Sequence, residues 1–384
     1  MIITQAAQQW ASRPVDERFW TIQEARVAAA HHADNAVETV AKPRDMHVEA
    51  SGNVVKLVGA SGVAADLSHF AFGQLCRSIK APADYLRRLP ATLAARNIDE
   101  GLSLLDDPAK DQQLMFHQDE DRLMLRSYTS ERYSRIWNWE LADRILPYTN
   151  NGWCVPPALA ATDHDARARP ATAADLVEGN RGGNQVQVGD MIAPAGVYVS
   201  DHDCFFFLVN PERSFGEDDR YMRGMIWRNS EVGAGALAGL AFIFDGVCGN
   251  HIIWGVQESL EFKLRHIGEI QSRWRQAQLR IRTYSERSTD SEMTVINIAK
   301  AFRLGDDQDA AAKYLYGKKA LNLTQTQISD GLDRAKTHED WYGDPLSAWG
   351  FVSGLTEVAR DLPHGDKRTQ LETAGGKVLH QLVF

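Results

Sequence analysis

The residues whose types suit chemistry fall into two groups. The first is polar and short, with Asn229, Ser230 and Glu231 in one run and Asn250 and His251 in another. An amide, a hydroxyl and a carboxylate beside apolar strands can line a cleft and serve acid/base work, or they can cap strand ends. No partner histidine or nucleophile is identifiable for Glu231, so no catalytic residue is assigned. The second group is cationic. Arg213, Arg223 and Arg228 accompany Trp227 within residues 210–229, and Arg273, Arg275, Arg280 and Arg282 follow within 257–287. Arginines interleaved with aromatic rings can hold backbone phosphates and stack exposed bases. Glu212, Glu217, Asp218 and Asp219 stand close enough to pair with the first set, which is the structural alternative. For the second set the alternative is arginine stems lying beside a packed helix seam.

Motifs for other chemistries are absent. Gly233, Gly235 and Gly239 form a loose glycine-rich stretch, but Leu240 and Ala241 follow where a phosphate loop needs Lys and Ser or Thr. LETAGGKV (371–378) lacks the spacing as well, and there is no GxSxG or HExxH. No cofactor is expected. His202 with Cys204 and Cys248 with His251 are zinc-type ligands arranged as HxC and CxxH. Cys204 opens an apolar strand, and a buried thiol is the ordinary state of such a cysteine, so no metal is expected either.

The elements that must position these groups follow from periodicity. A helix over Ile22–Ala30 precedes a hairpin, Met46–Ala50 and Val54–Val58, turned by Ser51-Gly52-Asn53. Ser68, Pro82 and Pro90 each start a helix, giving a compact helical cluster. Residues 112–118 and 122–129 alternate as strands, and 139–146 reads as a helix. A second run of strands covers GVYVS, CFFFLVN, YMRGMIWRN, ALAGLAFIF and GVCGNHIIWG. From about 257 to 287 the period becomes helical. Leu260, Ile267, Trp274 and Ile281 recur every seven residues, with Gly268 as the weak point. That stripe can seal against a second copy or pack on the molecule's own sheet, so homo-oligomerisation is left open. Shorter helices follow to the end.

Strands grouped together between helices predict an α+β fold, mainly an antiparallel sheet core with a helical N-terminal cluster, one long amphipathic helix and a helical C-terminal unit. The expected divisions are 1–65 with its hairpin, 66–256 as a single core with 161–189 as a loop insertion, and 257–384 as the long helix and helical unit.

Bulk composition agrees with a globular protein: 384 residues, 44% hydrophobic and 24% charged. The four cysteines are scattered and read as reduced thiols. No apolar run is long enough to span a bilayer, and MIITQAAQQWASRPVDERFW has neither the basic start nor the apolar segment of a secretory signal. A cytoplasmic protein with no membrane partner is expected. The net charge of −9 gives no global pull toward nucleic acid. Residues 259–287, with seven Lys/Arg against three Glu, run against that balance.

Six phrases taken together resemble a known family. They are FAFGQLCRSIKAPADYLRRLP (70–90), RSYTSERYSRIWNWEL (126–141), FFLVNPERSF (206–215), RGMIWRNSEVGAGAL (223–237), FDGVCGNHIIWG (244–255) and SAWGFVSGLTEVA (347–359). Their order and wording are similar to the phage- and plasmid-like proteins grouped as domain of unknown function 932. The resemblance implies a mobile-element setting and no assigned chemistry, so it carries no catalytic residue across. The leading expectation is a protein that handles nucleic acid, binding or annealing single strands in replication or recombination. A factor that counters host defence by binding a host protein is the alternative, favoured by the acidic balance. An enzyme with a site around 229–231 and 248–251 is the third.

Overall fold

The computed structural model describes residues 13–119, 122–156, 158–159, 166–176, 186–194, 196–245, 250–252, 262–268, 270–362 and 365–383. It is an α+β fold built on two main sheets. The first helix, α1 (Ile22–Asp34), starts where the Thr21 side chain accepts from the Glu24 amide. Chain then runs into a six-stranded sheet in the order β2 (Ala36–Ala41), β6 (Gln112–Asp119), β7 (Arg122–Ser130), β5 (Ala64–Leu67), β4 (Val54–Gly59), β3 (Met46–Ser51). All its pairings are antiparallel except β5 with β7. The helices α2 (His69–Ser78), α3 (Ala83–Leu86) and α4 (Ala91–Ser103) cover one face of this sheet. Leu75, Ile98, Leu114 and Leu125 meet in that core.

The second sheet has seven strands, all antiparallel. Its order is β1 (Arg18–Phe19), β11 (Val197–Val199), β12 (Cys204–Phe215), β13 (Tyr221–Asn229), β14 (Leu237–Asp245), β15 (Asn250–Ile252), with β16 (Phe262–Leu264) also on β14. Successive side chains of a strand point to opposite faces. Phe206 and Leu208 therefore enter the core beneath α1, α5 (Asn138–Thr149) and α6 (Ile270–Glu286), while Phe207 and Val209 enter a second cluster with Met222 and Phe242. The first half of β12 is thus buried on both faces.

The remaining helices, α7 (Asp290–Ala301), α8 (Gln308–Gly317), α9 (Gln325–Thr337), α10 (Glu339–Tyr342), α11 (Ala348–Arg360) and α12 (Gly365–Val383), form the C-terminal unit. Its core takes in Phe215, Tyr221 and Ile243 from the seven-stranded sheet.

Four expectations need correction. The division at residue 65 cuts through one sheet, because β2 pairs with β6 and β5 with β7, both from beyond residue 111. The single core is divided among separate clusters, since each sheet carries its own covering helices. The stretch 257–287 is not one helix. Phe262–Leu264 is a strand, Gly268 turns the chain at φ 74°, and the helix begins only at Ile270. A positive φ is cheap for glycine and ends the helical run there. The 161–189 segment is only partly a loop: β9 (Arg169–Pro170) joins β8 (Ala158–Leu159) and β10 (Met191–Ala193) in a small sheet, Ala173–Asp175 forms a short 3-10 turn, and 161–165 and 177–185 lie outside the described residues.

Among the described residues no helix is long and apolar enough to cross a membrane.

Candidate functional site

Asn229, Ser230 and Glu231 sit where β13 ends, between the two sheets. Alternation on β7 points Leu125 into the helix-covered core and turns Arg126 to the opposite face, toward this junction. There Arg126 Nη2 donates to Glu231 Oε1 at 2.8 Å, and both side chains are closed to solvent. Glu231 Oε2 accepts the Asn138 amide at 3.0 Å, at the first residue of α5, where the helix dipole favours an anion. The Asn229 amide donates to Ile136 O at 2.8 Å and to Asn138 Oδ1 at 2.9 Å. Ser230 Oγ donates to His202 O at 3.0 Å and accepts the Ala234 amide. Tyr133 Oη and the Arg135 guanidinium close the carbonyls of Ser230 and Glu231.

These three residues read in sequence as a candidate polar cleft; their surroundings make them a fastener. Burial pushes the Glu231 carboxyl above its usual range, and Arg126 and the Asn138 amide pull it back. Both of its oxygens are engaged and none of it meets solvent, which leaves no room for a substrate at the carboxylate. Asn250 and His251 lie in β15, and their side chains are outside the described residues.

Sequence reading missed the Asp201-His202-Asp203 run beside this junction. His202 Nδ1 lies 2.7 Å from Asp201 Oδ1, and its Nε2 lies 3.5 Å from Asp203 Oδ1. Burial works against the imidazolium, but the two carboxylates outweigh it and raise the pKa. Asp203 is gripped in turn by Arg13 at 2.6 Å, and Asp201 Oδ2 lies 3.8 Å from Arg126 Nε. His32 faces the same cluster, its pKa lowered by burial and by Arg126. The available signal was a histidine between two aspartates immediately before an apolar strand. Cys204, read with His202 as zinc-type, is buried in β12, and burial raises its thiol pKa well above the ordinary value. Among the described residues no His, Cys, Asp or Glu group is arranged to hold a metal ion; Cys248 lies outside them.

The cationic candidates separate into two sets. Arg223 is buried and closes the end of α6, donating to the carbonyls of Tyr284 at 2.5 Å, Arg287 at 2.9 Å and Ser288 at 3.0 Å, and pairing with Glu292 at 3.3 Å. Trp227 is 1% exposed and packs on Trp274 with ring centres 5.3 Å apart. Neither can meet a nucleic acid in this fold, because α6 covers that face of β13. Arg228, the next residue, points to the other face and is half-buried. Arg275, Arg280 and Arg282 are exposed on α6, whose Trp274, Ala277, Ile281 and Tyr284 are buried on the molecule's own sheet. That packing takes Trp274 and Ile281 of the stripe left open for a second copy; Ile267 is exposed and Leu260 lies outside the described residues. Burying such large side chains stabilises by about 1.5–3 kcal/mol each. Arg275 and Arg282 lie two turns apart on one line, about 10 Å along the axis, and Arg280 stands on the opposite flank. Arg282 also reaches Glu286 at 2.9 Å. Arg213 is exposed and donates to Ser285 O at 2.6 Å. The side chain of Arg273 is outside the described residues.

Beside Arg213 opens a cleft of about 720 Å³, lined by Trp20, Leu146, Trp153, Val155, Pro211 and Glu212 among others. Arg169 lies over the Trp20 ring at 4.3 Å and answers Asp175 at 2.6 and 2.7 Å. The walls suit a flat apolar group, and the paired charges offer no acid/base machinery.

No protein-family model matches the chain, and no curated protein or solved structure matches it. What bears on function is the geometry of these groups.

Proposed function

We propose that the protein binds single-stranded nucleic acid along the outer face of α6, in the replication or recombination of a mobile element. One observation carries this reading: Arg275, Arg280 and Arg282 are all exposed on a helix whose other side is sealed against the sheet. The helix holds four arginines against a single glutamate, within a chain of net charge −9. Arg275 and Arg282 form a cationic line on an acidic surface, with Arg280 on the opposite flank, and such local charge gathers phosphates by counterion release without coating DNA indiscriminately. Arg213 extends that charge past the end of α6, and its neighbour Glu212 lines the cleft that contains Trp20. A strand following that path would present bases to an aromatic wall. The mobile-element setting is what the resemblance to domain of unknown function 932 implies.

The test is fluorescence anisotropy of labelled single strands at low and near-physiological salt. Saturable, salt-sensitive binding is expected. The triple variant Arg275→Ala/Arg280→Ala/Arg282→Ala should bind more weakly and lower the slope of log K on log salt by about 2, at roughly 0.7 per lost phosphate contact. No binding by the native protein at low salt would sink the reading and turn attention to a protein partner.

A further inference from the structure

The cleft beside Arg213 holds a carboxylate that the fold positions but does not pair. The loop after α5 is stitched to β12: Cys154 and Val209 exchange backbone hydrogen bonds at 2.8 and 2.9 Å, and the Asn210 side-chain amide donates to Asn151 O at 3.3 Å. This sets Gly152, at φ 79°, against the Glu212 side chain, whose carboxylate lies where a Cβ on Gly152 would stand. Glycine alone leaves that seat open. Among the described residues no donor or cation engages the Glu212 carboxylate. Gln23 lines the same cleft, and its amide is likewise unengaged among them. Cys154, also on the cleft, stays a neutral thiol, its pKa pushed up to about 11 by burial and by the Glu212 carboxylate. The remaining charges of the lining, Arg169 and Asp175, answer each other, and Arg169 lies over the Trp20 ring at 4.3 Å. Indole and guanidinium are both planes on which a base can stack.

We propose that this cleft takes one guanine of the bound strand, stacked on the Trp20–Arg169 pair, with Glu212 accepting from its N1–H and its N2 amine. The assignment deepens the strand-binding reading and rests on it. An ionised carboxylate only accepts, so it selects the base edge richest in donors. Guanine alone among the common bases carries two adjacent donors on one edge. Adenine and cytosine set their amine beside an acceptor nitrogen, and thymine and uracil flank a single N–H with two carbonyls. Each of those edges turns a lone pair toward one of the carboxylate oxygens, which costs affinity. Gln23 brings an amide of the kind that donates to guanine O6. A volume of about 720 Å³ is within the range of sites that enclose a small flat molecule.

Anisotropy of labelled oligothymidine strands carrying one guanine, hypoxanthine or adenine tests this on the full chain. Hypoxanthine keeps N1–H and lacks the amine. Its strand should bind about tenfold more weakly than the guanine strand, as one hydrogen bond to a charged acceptor predicts. Glu212→Gln should erase the preference for guanine and bring the adenine strand level with it, because a carboxamide pairs with adenine through one donor and one acceptor. The slope of log K on log salt should stay near native in that variant, since no phosphate contact is lost. Equal affinity for the guanine and hypoxanthine strands would overturn the proposal, as would a guanine preference that survives Glu212→Gln. If no strand binds, the strand reading falls by itself, and saturation-transfer NMR with guanosine monophosphate decides the cleft. Saturable contact with the purine ring, lost in Glu212→Gln, supports the guanine site; no contact overturns it.

Discussion

Arg126 on β7 and Glu231 after β13 form an ion pair at 2.8 Å that is closed to water and ties one sheet to the other. A buried pair adds little net stability, because desolvation offsets the attraction, yet removing one partner strands the other. Glu231→Gln should therefore destabilise by about 3–5 kcal/mol. The double variant Arg126→Met/Glu231→Gln should cost less than the two single changes summed. Denaturant midpoints across that cycle measure it; strict additivity would show that the pair is not coupled.

Arg223 gives a second prediction. Its guanidinium holds the final carbonyls of α6, so Arg223→Met leaves them without that donor, while Glu292 keeps Arg287 and Ser291. A loss of about 1–3 kcal/mol is expected from buried carbonyls left without a partner. Strand binding per folded molecule should stay near native, since Arg223 faces inward. A selective loss of binding with native stability would place Arg223 at the interface instead.

Gly224 faces the ring of Phe242 across β13 and β14, and an added Cβ would collide with that ring. Gly224→Ala should cost about 1–3 kcal/mol by overpacking. Adding Phe242→Leu should recover part of the loss in thermal melts.

His266 sets a pH dependence. Burial lowers its pKa from 6.5 to about 4, and Nε2 has no partner among the described residues. Below pH 6.5 the unfolded chain binds a proton that the folded chain refuses. Stability should therefore fall as pH drops from 6.5 toward 4, by up to about 3 kcal/mol from this group. His202, whose pKa is raised, acts with the opposite sign, its contribution being lost as pH rises. Comparing urea midpoints at pH 7 and pH 5 for the native protein and His266→Gln isolates the first effect; parallel losses in both would exclude it.

The sequence by itself determined the local elements. Ser68 caps α2 by accepting the Ala71 amide, and Gly52 turns the β3–β4 hairpin at φ 61°. β12 and β13 fall where apolar residues run together. Caps, turns and periodicity act within a few residues, so they can be read without the rest of the chain. The polar run 229–231 was legible as a cluster for the same reason. Only the tertiary structure decided what each side chain faces. Arg213 and Arg223 read alike in sequence, yet α6 covers one and leaves the other in water. Glu231 had no visible partner because Arg126 lies 105 residues away, on the other sheet. The partner of β2 likewise emerged only in the folded chain, because β6 comes from beyond the helical cluster. Burial and pairing over such distances depend on which surfaces the whole chain brings together, and no local pattern encodes that.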